Sequence, residues 1–95
     1  MDIKLLIVDD EVQIRKGIEK GIPWKELGIS KVQSAPNGVA ALEIIRAERT
    51  DILITDIRMP GMDGLELARK AKTVQENMHI IILSGFSEFD YAMRG

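Results

Sequence analysis

Apolar residues in this chain fall into short continuous runs separated by longer stretches in which they recur every three or four positions. Four runs stand out: Ile3 to Val8, Val32 to Ala35, Ile52 to Ile54 extending to Asp56, and Ile80 to Leu83. Short β-branched runs alternating with helical periodicity predict βαβ units. The first, third and fourth runs are nearly unbroken in Ile, Leu and Val, as parallel strands covered on both faces require. The second is shorter and more polar, which suits an edge.

Between the runs, Ile14, Ile18 and Ile22 with Gly17 and Gly21 mark one face of a first helix from about Glu11 to Gly21, and Pro23 and Gly28 bracket the loop after it. Val39, Leu42 and Ile45 repeat at three-residue spacing behind Asn37, a natural N-cap, giving a second helix that ends near Arg49. Asp63-Gly64 opens a third, with Leu65, Leu67, Ala68 and Ala71 as its apolar stripe and Lys70 and Lys72 on its wet side. A fourth helix is expected to start near Ser87 and run to the end of the chain at Gly95.

Parallel strands joined by right-handed crossovers make an open, doubly wound α/β sheet. With the second strand outside the first and the third on its other side, the order is 2-1-3-4, flavodoxin-like. The winding then reverses between strands one and three, and ligands bind beyond the carboxyl ends of the strands at that point.

Composition narrows the function classes. Ninety-five residues make one domain. The net charge of −2 lacks the basic footprint that a phosphate backbone demands, so this segment is not expected to bind nucleic acid directly. The absence of cysteine excludes disulfides and thiolate metal sites. Asp9-Asp10-Glu11 follow the first apolar run too soon for a signal peptide or a membrane span. A cytoplasmic address fits these features.

The expected topology brings acids distant in sequence to one crevice. Strand one ends in Asp9-Asp10-Glu11, strand three in Asp56, and strand four in Ser84-Gly85. Two carboxylates about 4 Å apart repel by roughly 4 kcal/mol at an effective dielectric near 20. Protons or a cation must offset three of them, and hard oxygen-only ligands of this kind suit Mg²⁺, which shares its positions between carboxylates, water and phosphate. In such a site Asp56 would be the carboxylate nucleophile that forms an acyl phosphate. Ser84 and nearby backbone N–H groups would hydrogen-bond the phosphoryl oxygens.

Three segments resemble the signatures of response-regulator receiver domains of two-component systems: Ile7-Val8-Asp9-Asp10-Glu11, Ile54-Thr55-Asp56-Ile57-Arg58-Met59-Pro60-Gly61-Met62-Asp63-Gly64, and Ile82-Leu83-Ser84-Gly85. They occur in the family's order and at its usual separations, and the resemblance spans essentially the whole chain, residues 1–95. It implies that Asp56 accepts a phosphoryl group from a histidine kinase, that Asp9, Asp10 and Asp56 bind Mg²⁺ with the Arg58 backbone carbonyl, and that Ser84 is the hydroxyl switch residue, with Gly85 beside it. The segments Ile22 to Ile29 and Ser84 to Ala92 are similar to receivers that precede an AraC-type helix-turn-helix output domain, implying a transcriptional output. The family pattern also places a Lys after a fifth strand and an aromatic switch within that strand. This chain stops before both, so the resemblance implies a receiver incomplete at its C-terminus, with no catalytic Lys.

Simpler roles compete for several residues. Asp10 also fits an N-cap, Glu11 a first-turn acid complementing the helix dipole, and Ser84 a plain strand-terminating hydroxyl. Asp63 is read as a cap, His79 as solvated, and Trp24 as packing its loop onto the body; Phe86, Phe89 and Tyr91 fit either core cover or a docking surface. Without a fifth strand, Ile80 to Leu83 form an unprotected edge beside an apolar face, so a longer parent or self-association, such as a homodimer, is expected.

Two other functions share the fold. A Mg²⁺-dependent phosphatase using aspartyl-phosphate chemistry predicts an acid two residues beyond the nucleophile, where this chain has Arg58. An interaction module would keep the fold without phosphotransfer.

Overall fold

A computed structural model describes residues 2–83. The elements run β1 (Lys4–Val8), α1 (Val12–Gly21), β2 (Lys31–Ala35), α2 (Gly38–Ala47), β3 (Ile52–Asp56), α3 (Gly64–Val74) and β4 (His79–Leu83). The four strands form one parallel sheet in the order β2-β1-β3-β4, the doubly wound arrangement the hydrophobic pattern predicts. The more polar β2 is an edge, as its composition requires.

Alternation along the strands divides the core into two layers. Leu6, Val8, Leu53 and Met78 meet Leu42 and Ile45 of α2 and Leu67 and Ala71 of α3 on one face. On the other, Leu5, Ile7 and Ile54 pack with Ile29, and Ile18 of α1 and Trp24 close over them. Trp24 anchors its loop as expected, donating its indole N–H to the Ile18 carbonyl at 3.0 Å.

Two helix starts follow the sequence reading. Asn37 Oδ1 accepts from the Ala40 N–H at 2.8 Å, and Asp63 Oδ1 accepts from the Glu66 N–H at 2.8 Å. Each satisfies a donor with no partner within the helix. The apolar stripes are narrower than periodicity predicts. Ile14, Val39 and Leu65, in the first turns of their helices, are 44%, 60% and 51% exposed and fall outside the buried stripes. α1 has no fully buried residue.

The end of the sheet away from the strand carboxyl termini is tied by polar contacts. Asp51 Oδ2 accepts from the Lys4 N–H at 2.9 Å, and Arg49 Nε donates to Asp51 Oδ1 at 3.0 Å. The Thr50 N–H donates to Gln75 Oε1 at 3.0 Å, and Gln75 Nε2 donates back to the Thr50 carbonyl, joining the α2–β3 turn to the end of α3. His79 is exposed, as expected. The expected fourth helix, with Phe86, Phe89 and Tyr91, lies outside the described residues.

Candidate functional site

The site follows from strand register. Val8 of β1 pairs with Thr55 of β3, so the residues one step further, Asp9 and Asp56, end adjacent strands at the point where the winding reverses. Asp10 continues from Asp9 into the loop before α1. Carboxylate oxygens of Asp9, Asp10 and Asp56 all lie within 4.8 Å of one another. The three acids inferred from sequence therefore converge.

Their surroundings differ. Asp9 is 4% exposed, Asp56 is half-buried, and Asp10 is open to solvent. Burial pushes the Asp9 carboxyl above its usual range; the charges of Asp56, Asp10 and Glu11 push the same way, against the Glu11 N–H that stabilises the ionised form. That N–H reaches Asp9 Oδ1 at 2.9 Å. The Asp56 carboxylate is held at Oδ1 by the Ile57 N–H at 2.8 Å, and the same N–H lies 3.1 Å from the Leu83 carbonyl.

The alternative roles of two acids do not fit. The N-cap of α1 is Glu11, and it makes no side-chain capping bond; Asp9, not Asp10, accepts the N–H at this helix entry. Glu11 thus precedes the first turn instead of lying within it. Arg58 is exposed in the loop after β3. Ser84 and Gly85 lie outside the described residues, although Leu83, the residue before them, pairs with Asp56.

Two contributors were not read from the sequence. Arg15 Nη1 donates to the Asp9 carbonyl at 2.7 Å. Gly64 packs so closely under β3 that a Cβ there would overlap the Asp56 carbonyl oxygen. The Asp63-Gly64 turn signal marked a helix start, but nothing in its spacing revealed which backbone it would touch.

The donor set fits a hard divalent cation: it is all oxygen and clustered within one coordination sphere. Burial and the neighbouring acids make ionisation of Asp9 less favourable than that of a free carboxylate, which a bound cation would offset.

A doubly wound parallel sheet with an acidic crevice at its switch point defines the class of receiver-like α/β domains. Residues 5–95 match the response regulator receiver domain family, and the chain belongs to it. It is 47% identical over 89 residues to the uncharacterised transcriptional regulatory protein YesN of Bacillus subtilis (strain 168), covering 94% of this chain and 24% of YesN. Among solved structures it resembles the REC domain of AraT, a response regulator from Geobacillus stearothermophilus, with a TM-score of 0.87 and 42% identity over 99% of this chain and 73% of that one. It also resembles the response regulator TrrA of Thermotoga maritima, solved in complex with Mg²⁺-BeF, with a TM-score of 0.79 and 32% identity over 94% of this chain and 75% of that one. This chain is thus a receiver domain of the two-component response regulators. Among the described residues, no helix is long and apolar enough to cross a membrane.

Proposed function

We propose that Asp56 is the phosphoacceptor of this receiver, taking a phosphoryl group from a histidine kinase to control a transcriptional output domain of the parent protein. The observation that carries this reading is the convergence of Asp9, Asp10 and Asp56 at the switch point, with Asp56 half-buried at a strand end. One Asp56 oxygen is steadied by the Ile57 N–H, and the other attacks phosphorus. As the new O–P bond forms, the bond from phosphorus to the donor imidazole nitrogen breaks, and that nitrogen keeps the electron pair.

Asp9 and Asp10 with Asp56 and the Arg58 backbone carbonyl would hold Mg²⁺, whose charge offsets that of the phosphoryl oxygens. Ser84, with Gly85 beside it, would hydrogen-bond the transferred group and report it to the β4 surface. The similarity to YesN and the resemblance of Ile22 to Ile29 to receivers that precede AraC-type outputs support a DNA-binding output outside this segment. The same reading has the domain acting as a cytoplasmic switch and not as an enzyme on external substrates. Arg58 in place of an acid two residues beyond Asp56 supports that view. The exposure of Ile81 and Leu83 supports self-association through the β4 side, which light scattering after size exclusion would test.

Beryllofluoride with Mg²⁺ tests the phosphoacceptor role. The reading expects NMR shifts concentrated at the β1, β3 and β4 carboxyl ends in the wild type and none in D56N. A folded wild-type sample without any Mg²⁺-dependent response would favour an interaction module, and steady phosphate release from unrelated monoesters would favour a phosphatase.

A further inference from the structure

We infer that Arg15 is a positioning residue of the acidic site, fixing the Asp9–Asp10 peptide so that both carboxylates face one cation. This rests on the proposed cation site and adds a residue from outside the acid cluster.

Asp9 is held at three points. Its N–H donates to the Ala35 carbonyl at 3.3 Å, its Oδ1 accepts from the Glu11 N–H at 2.9 Å, and its carbonyl accepts from Arg15 Nη1 at 2.7 Å. The carbonyl belongs to the peptide that joins Asp9 to Asp10, so the third contact sets the plane from which Asp10 departs. Asp10 itself is open to solvent and needs that external fix more than Asp9 does.

Arg15 is suited to the task by its place on α1. It sits in the first turn, its own N–H donates to the Glu11 carbonyl at 3.1 Å, and its side chain is half-buried. The helix entry has no side-chain cap. The guanidinium therefore staples the open first turn back onto the end of β1. Its bond goes to a peptide oxygen and not to a carboxylate. An arginine paired with Asp9 or Asp10 would compete with a cation for the ligand oxygens. An arginine on the carbonyl orients them and lends positive charge nearby while leaving them available. Groups of this kind outside the ligand set commonly change metal affinity by roughly 10–100-fold when removed.

Titration of the purified 95-residue chain with MgCl₂, followed by NMR of the backbone amides, tests this. Wild type should show saturable shifts at Asp9, Asp10 and Asp56. R15Q should weaken Mg²⁺ binding by roughly 10–100-fold and move the metal-free Asp10 and Glu11 amides, while its metal-free melting temperature stays near that of wild type. R15K, which keeps a charged donor, should recover part of the affinity. K16Q removes an equal charge from the same turn and should leave binding unchanged. Should R15Q fail to fold, R15M takes its place.

Equal Mg²⁺ affinity in wild type and R15Q would overturn the inference, as would equal losses in R15Q and K16Q, which would reduce the effect to net charge. Absence of Mg²⁺ binding in the wild type is a separate result, visible before any variant is compared; it would remove the proposed cation site itself.

Discussion

Gly64 lies against the main chain of Asp56. A Cβ on Gly64 would overlap the Asp56 carbonyl oxygen and stand 3.0 Å from both the Asp56 carbonyl carbon and the Ile57 Cα. The neighbours here are backbone atoms, so relief requires moving the segment that carries the proposed phosphoacceptor. The start of α3 and the end of β3 are one packed unit, joined further by the Gly64 N–H, which donates to the Ile57 carbonyl at 2.8 Å.

Gly64→Ala is therefore expected to cost about 1–3 kcal/mol in denaturant unfolding, the range for overpacking, and to weaken the Mg²⁺ response. Gly38→Ala offers a contrast. Its new Cβ would meet the Met62 side chain, with Sδ at 2.6 Å and Cβ and Cγ at 3.0 Å; the thioether can swing aside, so only the Cβ contact needs a small backbone adjustment. The second variant should be milder and should leave the site's metal response intact.

Asp51 predicts an acid limb in stability. The Lys4 N–H, then Arg49, hold its carboxyl below the usual carboxylate range. A depressed native pKa means that the unfolded chain binds the proton more readily. The contribution is complete above the unfolded value, near pH 4, and is lost as pH falls through the lower native value. Asp51→Asn should flatten that part of the stability curve below about pH 4, as followed by urea unfolding at several pH values. An unchanged acid slope would show that the contacts at Asp51 contribute nothing.

Asp9 has the opposite sign. Its raised carboxyl holds a proton in the native state more tightly than in the unfolded one, so its effect is to lower stability as pH rises from the ordinary carboxylate range through the native value. Asp9→Asn should stabilise the metal-free protein at neutral pH while weakening the response to Mg²⁺. In wild type, Mg²⁺ at 100 times its dissociation constant should add about 2.7 kcal/mol. Loss of stability on metal-free Asp9→Asn substitution would contradict this account of a carboxylate disfavoured by burial and by its acidic neighbours.

Gln75 makes a purely structural prediction. Its amide satisfies both backbone groups of Thr50, a residue 2% exposed. Gln75→Ala should cost about 1–3 kcal/mol for the unpaired groups, measured by chemical unfolding. The site should retain its Mg²⁺ affinity, because the turn lies at the opposite end of the sheet.

The strand pattern and the acids were legible in sequence because both depend on local rules. Unbroken Ile and Leu runs mark the strands, but the double cover they predict holds for β1 and β3 and not for β4, an edge strand among the described residues with no buried residue. The alternation with helices fixes which strand ends share a rim. Asp9, Asp10 and Asp56 could be placed together on that basis. Arg15 was not legible: a charged residue in a helix's first turn reads as solvated, and its bond to the Asp9 carbonyl depends on how α1 leaves the sheet. Gly64 read as a turn residue because its close approach to Asp56 is a tertiary fact. Leu65 and Val39 fit their helical stripes by spacing, yet lie exposed, while Gly64 and Gly38 beside them are buried. Ser84, placed beside Asp56 by the strand pattern, lies outside the described residues.

The phosphoacceptor assignment is tested most directly by trapping the acyl phosphate. The chain would be incubated with Mg²⁺ and acetyl phosphate, reduced with borohydride, and mapped by peptide mass spectrometry. Homoserine at position 56, dependent on Mg²⁺ and absent in D56N, is the predicted result. Modification at another carboxylate, or none in a folded, Mg²⁺-binding sample, would contradict it.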